Sequence, residues 1–172
     1  MTRVRAEHDR DAEGIRQVLD AAFGGTDESQ LVDQLRTDGD LLLSLVADED
    51  GEIVGYIAFS RLQITDLSGE NPLQAAALAP VAVAPTHQRL GIGSELIRQG
   101  IENCKELDLD AIVVLGHSRY YPRFGFSAEI AECIKSPFSG PNFMVLPLIS
   151  GVFEDFSGNA IYANAFGLSR HE

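Results

Sequence analysis

The stretch PTHQRLGIGSELIRQG, residues 85–100, sets Gly91 and Gly93 at the mouth of an amphipathic helix. Glycine weakens a helix by about 1 kcal/mol relative to alanine, so two of them at a helix start need a physical reason. A helix N-terminus carries backbone N–H groups without intrahelical partners and a partial positive charge, which together favour an anion. Residues without side chains let such a ligand reach the backbone, and Gln88 and Arg89 would add donors beside it. Each charge–dipole contact contributes about 0.3–1 kcal/mol when exposed and up to about 2 when half-buried, so several amides must converge on one multiply charged group. A pyrophosphate meets that demand. The alternative is that the glycines let the helix lie close against a sheet, and spacing alone leaves both readings open. Two other phosphate motifs are excluded. A P-loop has lysine before its serine or threonine, whereas Ser94 follows Gly93 directly, and the dinucleotide fingerprint has a third glycine where Leu96 stands.

Working outward, AAALAPVAVAP (residues 75–85) reads as a strand interrupted by Pro80. Proline lacks the ladder N–H, so it marks an edge, a bulge or a place where pairing fails. Upstream, LLLSLVADEDGEIVGYIAFSRLQI (residues 41–64) is two apolar runs about a turn ending in Asp50-Gly51, a hairpin signal. Before it, TRVRAEH alternates as a short strand, and Asp9 offers an N-cap with Glu13 close behind. The helix at residues 10–23 then buries Ile15, Val18, Leu19 and Ala22 and ends at Gly24-Gly25. A second helix, residues 28–37, carries Leu31, Val32 and Leu35 and stops at Gly39. Downstream, the glycine-opened helix is expected over residues 89–107, followed by the strand AIVVLG, a turn-rich HSRYYPRFGF (residues 117–126) and a last strand at NFMVLPL. SGNAIYANAFG then reads as a turn and a short apolar segment whose Tyr162 and Phe166 either line an acceptor pocket or, the favoured reading, pack. With no internal repeat or linker, residues 1–172 are expected to form a single α/β domain with a sheet of mixed direction.

Composition narrows the function. The 26 acidic against 13 basic residues give a net charge of −13, which repels a phosphate backbone and disfavours nucleic acid as a partner. A cationic acceptor would be drawn in. No apolar run is long enough to span a bilayer and the N-terminus is too polar for a signal peptide, so neither membrane nor export is expected and the location is read as cytoplasmic. Cys104 and Cys133 lack metal-ligand or redox spacing and read as core thiols; no metal is expected.

The signature Gln88-x-x-Gly91-x-Gly93 after VAVAP, followed about thirty residues later by VVLGHSRYYPRFGF, resembles the GCN5-related N-acetyltransferase (GNAT) superfamily and its YhbS-like branch. The resemblance implies a single-domain GNAT-like fold, a mixed central sheet with splayed fourth and fifth strands flanked by helices, and a coenzyme-binding core at about residues 75–126. It implies that Gln88, Arg89, Leu90, Gly91, Ile92, Gly93 and Ser94 cradle the pyrophosphate of acetyl-CoA. The backbone of Val81, Ala82 and Val83 would then hold the pantetheine arm and polarise the thioester carbonyl. The family's motif tyrosine stands four residues before the glycine of GF. Counting back from Gly125 selects Tyr121 as the acid for the leaving thiolate, with Tyr120 as the alternative.

The base is less determined. Family members often carry a glutamate on or near the fourth strand, and LAPVAVA has no carboxylate. His117 is the candidate that remains, ahead of Glu28 and His87, while Arg123 is assigned to support of the turn or the coenzyme. The activity implied is acetyl transfer from acetyl-CoA to an amine of a small molecule or peptide, by direct transfer in a ternary complex. A non-catalytic acyl-CoA-binding sensor on the same fold is the alternative that the missing carboxylate motivates. A homodimer through an exposed strand edge or the apolar C-terminal segment is the remaining partner expectation.

Overall fold

A computed structural model describes residues 1–167, so residues 168–172 of the expected domain lie outside the described residues. Twelve regular elements follow in order. They are β1 (Thr2–Ala6), α1 (Ala12–Phe23), α2 (Asp27–Asp38), β2 (Leu41–Glu49), β3 (Glu52–Asp66), β4 (Leu73–Val83), α3 (Ile92–Lys105), β5 (Ala111–Leu115), α4 (Ala128–Ala131), β6 (Ile134–Lys135), β7 (Phe143–Pro147) and β8 (Gly158–Tyr162). They gather into two compact units, Met1–Ser60 with Ala79–Cys104, and Arg61–Leu78 with the chain from Lys105 on; β3 and β4 contribute to both.

In the first unit β1 pairs antiparallel with β2, and β2 with β3. The β2–β3 turn forms at Asp50-Gly51, both with positive φ (53° and 92°), the conformation that suits a two-residue hairpin. Successive β3 side chains alternate between helices. Tyr56 and Ala58 join Ile15, Val18, Leu19 and Val32 of α1 and α2 in one core, while Gly55 and Phe59 meet α3. Both faces are therefore covered, which explains why residues 53–59 are apolar without a polar alternation. The closeness of α3 depends on glycine at two points. A Cβ at Gly100 would stand 2.4 Å from Phe59 Cε2, and one at Gly55 would stand 3.1 Å from Ile92 and Leu96.

In the second unit, β4 pairs parallel with β5 from Ala75↔Ala111 to Ala77↔Val113, and β5 pairs antiparallel with β7. The start of this ladder is tied by Asp110, which accepts Gln74 N–H on its carboxylate (2.9 Å) and donates its own N–H to Gln74 C=O (2.7 Å). Pairing with β5 stops after Ala77, although β4 runs on through Pro80 to Val83. An end to pairing between the fourth and fifth strands is what the resemblance implied. Leu62, Ile64, Ala77, Val113, Phe143 and Val145 lie in the core of the unit, and Phe138, Tyr162 and Phe166 pack against it. Parallel and antiparallel ladders together make the mixed sheet that was expected.

Several local expectations are corrected. Asp9 does not cap α1; it opens a short 3-10 turn, and Asp11 supplies the carboxylate, accepting His8 N–H at 2.7 Å and the Arg5 guanidinium at 2.7 Å. Helix α3 begins at Ile92, not Arg89, because Arg89 (φ 66°) and Gly91 (φ 83°) have left-handed backbones that a helix cannot contain. It ends at Lys105 rather than 107. The strand at β7 is not the last. β6 and β8 follow α4 and flank it in sequence, β8 pairing with β3 from Leu62↔Tyr162 to Asp66↔Gly158. Gly158, read as a turn residue, is there because a Cβ would stand 2.0 Å from Thr65 O of the neighbouring strand.

Candidate active site

The glycine-opened loop leaves β4 at Val83. Ala84 donates its N–H to Val54 C=O at 2.8 Å, and residues 85–87 make one 3-10 turn closed by His87 N–H on Ala84 C=O, also 2.8 Å. Gln88 then folds back, its side-chain amide donating to Val83 C=O at 3.1 Å. Inside α3 the chain's first bond runs from Glu95 N–H to Gly91 C=O at 3.1 Å, so the amides of Ile92 and Gly93 precede the helical ladder.

Gly91 decides between the two readings of the motif. A Cβ built on it would meet nothing within 4 Å. Close packing is therefore not why glycine stands here; that role belongs to Gly55 and Gly100. What Gly91 provides is a positive φ and an open backbone at a helix mouth. Arg89 and Leu90 beside it are exposed, and Ser94 is half-buried. The loop borders a cleft of about 450 Å³ whose walls include Arg3, Glu49, His87, Gly91 and Ile92. Along the preceding strand, Ala82 is buried in the α1–α2 core while Val81 and Val83 are half-buried. The Val83 carbonyl is already held by Gln88, a partnership that sequence reasoning missed.

In the second unit His117 follows β5 and is exposed; its C=O accepts the N–H groups of Tyr120 (3.1 Å) and Tyr121 (3.3 Å). Tyr121 is buried, its ring edge-on to Tyr120 at 5.2 Å and to Phe126 at 5.8 Å. A Cβ at Gly116 would stand 2.3 Å from Tyr121 Cε2, so that glycine is what seats the ring. Burial pushes the Tyr121 hydroxyl up to about 12, which keeps it protonated and able to donate at neutral pH. Tyr120 is half-buried, with the Arg123 guanidinium 4.6 Å above its ring and Arg123 Nε donating to its C=O at 3.0 Å. Arg123 thus supports the turn, one of the two roles expected for it. Glu28 is half-buried on α2, and His87 belongs to the glycine loop, where its Nε2 lies 2.5 Å from Glu49 Oε2.

Among the described residues no three side chains gather as metal ligands and no helix is long and apolar enough to cross a membrane. Cys104 is a buried free thiol pushed up to about 12 by burial, and Cys133 is a half-buried one.

A mixed α/β sheet, with a helix opened by an exposed positive-φ glycine after β4, is the arrangement to set beside known proteins. The chain belongs to the GNAT acetyltransferase family, whose acetyltransferase (GNAT) domain matches residues 3–128. It is 40% identical over 166 residues to the uncharacterised N-acetyltransferase YhbS of Escherichia coli K12, spanning 95% of this chain and 97% of that one. The crystal structure of E. coli YhbS in complex with CoA superposes with a TM-score of 0.87 at 33% identity, covering 97% of this chain and 92% of that one. A GNAT family acetyltransferase from Brucella melitensis, solved with acetyl-CoA, gives 0.79 at 35% identity, with 96% and 98% covered. By family, the protein is an acyl-CoA-dependent N-acyltransferase.

Proposed function

We propose that the protein transfers an acetyl group from acetyl-CoA directly to an amine of a small molecule or peptide, both substrates being bound together. The observation that carries the reading is Gly91, a positive-φ residue with open space where its side chain would be. The CoA and acetyl-CoA complexes of the two similar structures support it. As substrate, acetyl-CoA supplies an acyl group on a thiol leaving group. In this reading residues 88–94 hold the pyrophosphate with backbone amides, and the backbone of Val81 and Ala82 meets the pantetheine arm.

The chemistry consumes an amine proton and needs a proton on the departing sulfur. An alkyl amine with a pKa of about 10.4 is mostly protonated at pH 7, and keeping it neutral costs about 4.6 kcal/mol. β4 carries no ionisable side chain, so His117 is the proposed proton acceptor, on an exposed segment where it can pass the proton to water. Tyr121 is the proposed acid, held protonated by its burial. No cysteine lies in the glycine loop or in the 117–126 turn, which favours direct transfer over an acyl-enzyme. The net charge of −13 favours a cationic acceptor. The reading also includes a cytoplasmic location and one working domain over residues 1–172.

Calorimetric titration of the wild type and a Gly91→Glu variant with acetyl-CoA and with CoA tests the coenzyme site. Thiol release across a panel of amines then tests turnover. The reading predicts binding that the variant abolishes and release that depends on the amine. Equal binding by the variant would remove the loop as the coenzyme site, and binding without release on any amine would favour the sensor.

A further inference from the structure

We propose that His87 is a positioning residue that engages the Glu49 carboxylate beside the coenzyme loop and thereby sets coenzyme affinity. The inference rests on the reading that acyl-CoA binds at Gly91. Glu49, the last residue of β2, shares with Gly91 and Ile92 the walls of the cleft at the mouth of α3. A bare carboxylate there would oppose any polyphosphate approaching the amides.

His87 answers it. Its Nε2 lies 2.5 Å from Glu49 Oε2, and its Nδ1 lies 2.8 Å from Thr86 Oγ1. A hydroxyl serves either proton state of Nδ1, so Nε2–H is free to donate to the carboxylate. The only other acid on the cleft wall, Glu95, is answered in the same way, by Gln99 Nε2 at 2.8 Å and Arg98 at 3.8 Å. Each carboxylate at the coenzyme mouth therefore has its own donor. The clasp joins residues 38 apart in sequence, and His87 immediately precedes Gln88, so the same contact ties the loop to the β2 end of the hairpin.

A mechanical tie and one that masks the carboxylate differ in a double-mutant cycle. We would measure CoA Kd by calorimetry for the wild type, His87→Ala, Glu49→Gln and the double variant, with thermal melts to establish folding. His87→Ala is expected to weaken CoA about tenfold by baring the carboxylate, and Glu49→Gln to change Kd less than about threefold. The double variant is expected to return to the Glu49→Gln value. A double variant as weak as His87→Ala, or weaker, would overturn the proposal, since a lost tie is not restored by removing its second half. Should His87→Ala not fold, His87→Phe, which also lacks a donor, substitutes for it in the same cycle and is to be rescued by Glu49→Gln in the same sense. If the wild type itself fails to bind CoA, the function reading falls and takes this inference with it.

Discussion

Replacing Gly91 with alanine separates what the backbone needs from what the ligand needs, because the fold supplies a matched control. Gly91 has φ 83° and Gly39, at the C-terminus of α2, has φ 75°; a Cβ at either would meet nothing within 4 Å. The cost to the free protein is therefore conformational at both sites, about 1 kcal/mol for an L-residue held in the left-handed region. Urea unfolding should find Gly39→Ala and Gly91→Ala destabilised by about the same amount. Coenzyme binding should part them. At Gly91 the methyl group stands at the helix mouth, and losing even one amide bond to a charged phosphate removes about 1.5–3 kcal/mol, or roughly 10–100-fold in Kd. Gly39→Ala should bind CoA as the wild type does. Calorimetry on the two variants at one temperature and salt concentration decides the matter. A wild-type Kd in Gly91→Ala, or an equal loss in Gly39→Ala, would refute the cradle and leave Gly91 as a turn residue only.

Tyr121→Phe keeps the ring that Gly116 and Phe126 hold but removes the hydroxyl, so thiol release should fall by at least about a hundredfold while CoA Kd is unchanged; undiminished turnover would remove Tyr121 as the acid. Asp11 is held down to about 2, first by the hydrogen bond from Arg5, so its contribution of about 2 kcal/mol is present above the unfolded pKa near 4 and is lost as pH falls through about 2. Urea midpoints of wild type and Asp11→Asn should thus differ at pH 7 and converge between pH 4 and pH 2, and a gap that stays constant over that range would contradict this. In Gly100→Ala the new methyl meets the buried Phe59 ring at 2.4 Å, an overpacking cost of about 1–3 kcal/mol that outweighs the roughly 1 kcal/mol gained in helix propensity, so chemical denaturation should show a net loss. A more stable Gly100→Ala would mean that α3 moves freely on β3.

Local signals were legible in the sequence and non-local ones were not. Asp50-Gly51, Gly24 and Gly39 carry their conformations in their own residue types, and each stands where a turn or helix end was expected. The stretch from Gln88 to Gly93 was legible as the entry to a helix, though the start of α3 was misplaced by the left-handed Arg89, a conformation that residue type does not signal. Gly158 shows the opposite failure. It was read as a turn residue, yet its role is set by Thr65, more than ninety residues earlier, and β8 was lost with it. The clasp of His87 on Glu49 and the tie of Arg5 to Asp48 were hidden for the same reason, since each pairs side chains that only the folded β2 brings together. For Gly91 the sequence left two explanations open, and the answer lay in the space around it, which no spacing encodes.

The glycines about α3 divide a single task. Gly55 and Gly100 fix where the helix lies on β3, and Gly91 fixes what its N-terminus presents. Ala84 on Val54, Gln88 on Val83 and His87 on Glu49 hold the chain that leads into the left-handed residues Arg89 and Gly91. That matters for a chain of net charge −13, whose long-range field repels a polyanion. Added lysines would attract the coenzyme from a distance but would also pair with the surrounding acids. Backbone dipoles cannot be neutralised in that way, and they act only within the last turn of approach, where the ligand is already aligned. In the proposed reading, amides at a glycine-opened mouth would give an acidic protein short-range anion affinity without a basic surface, and would leave the rest of that surface free to favour a cationic acceptor.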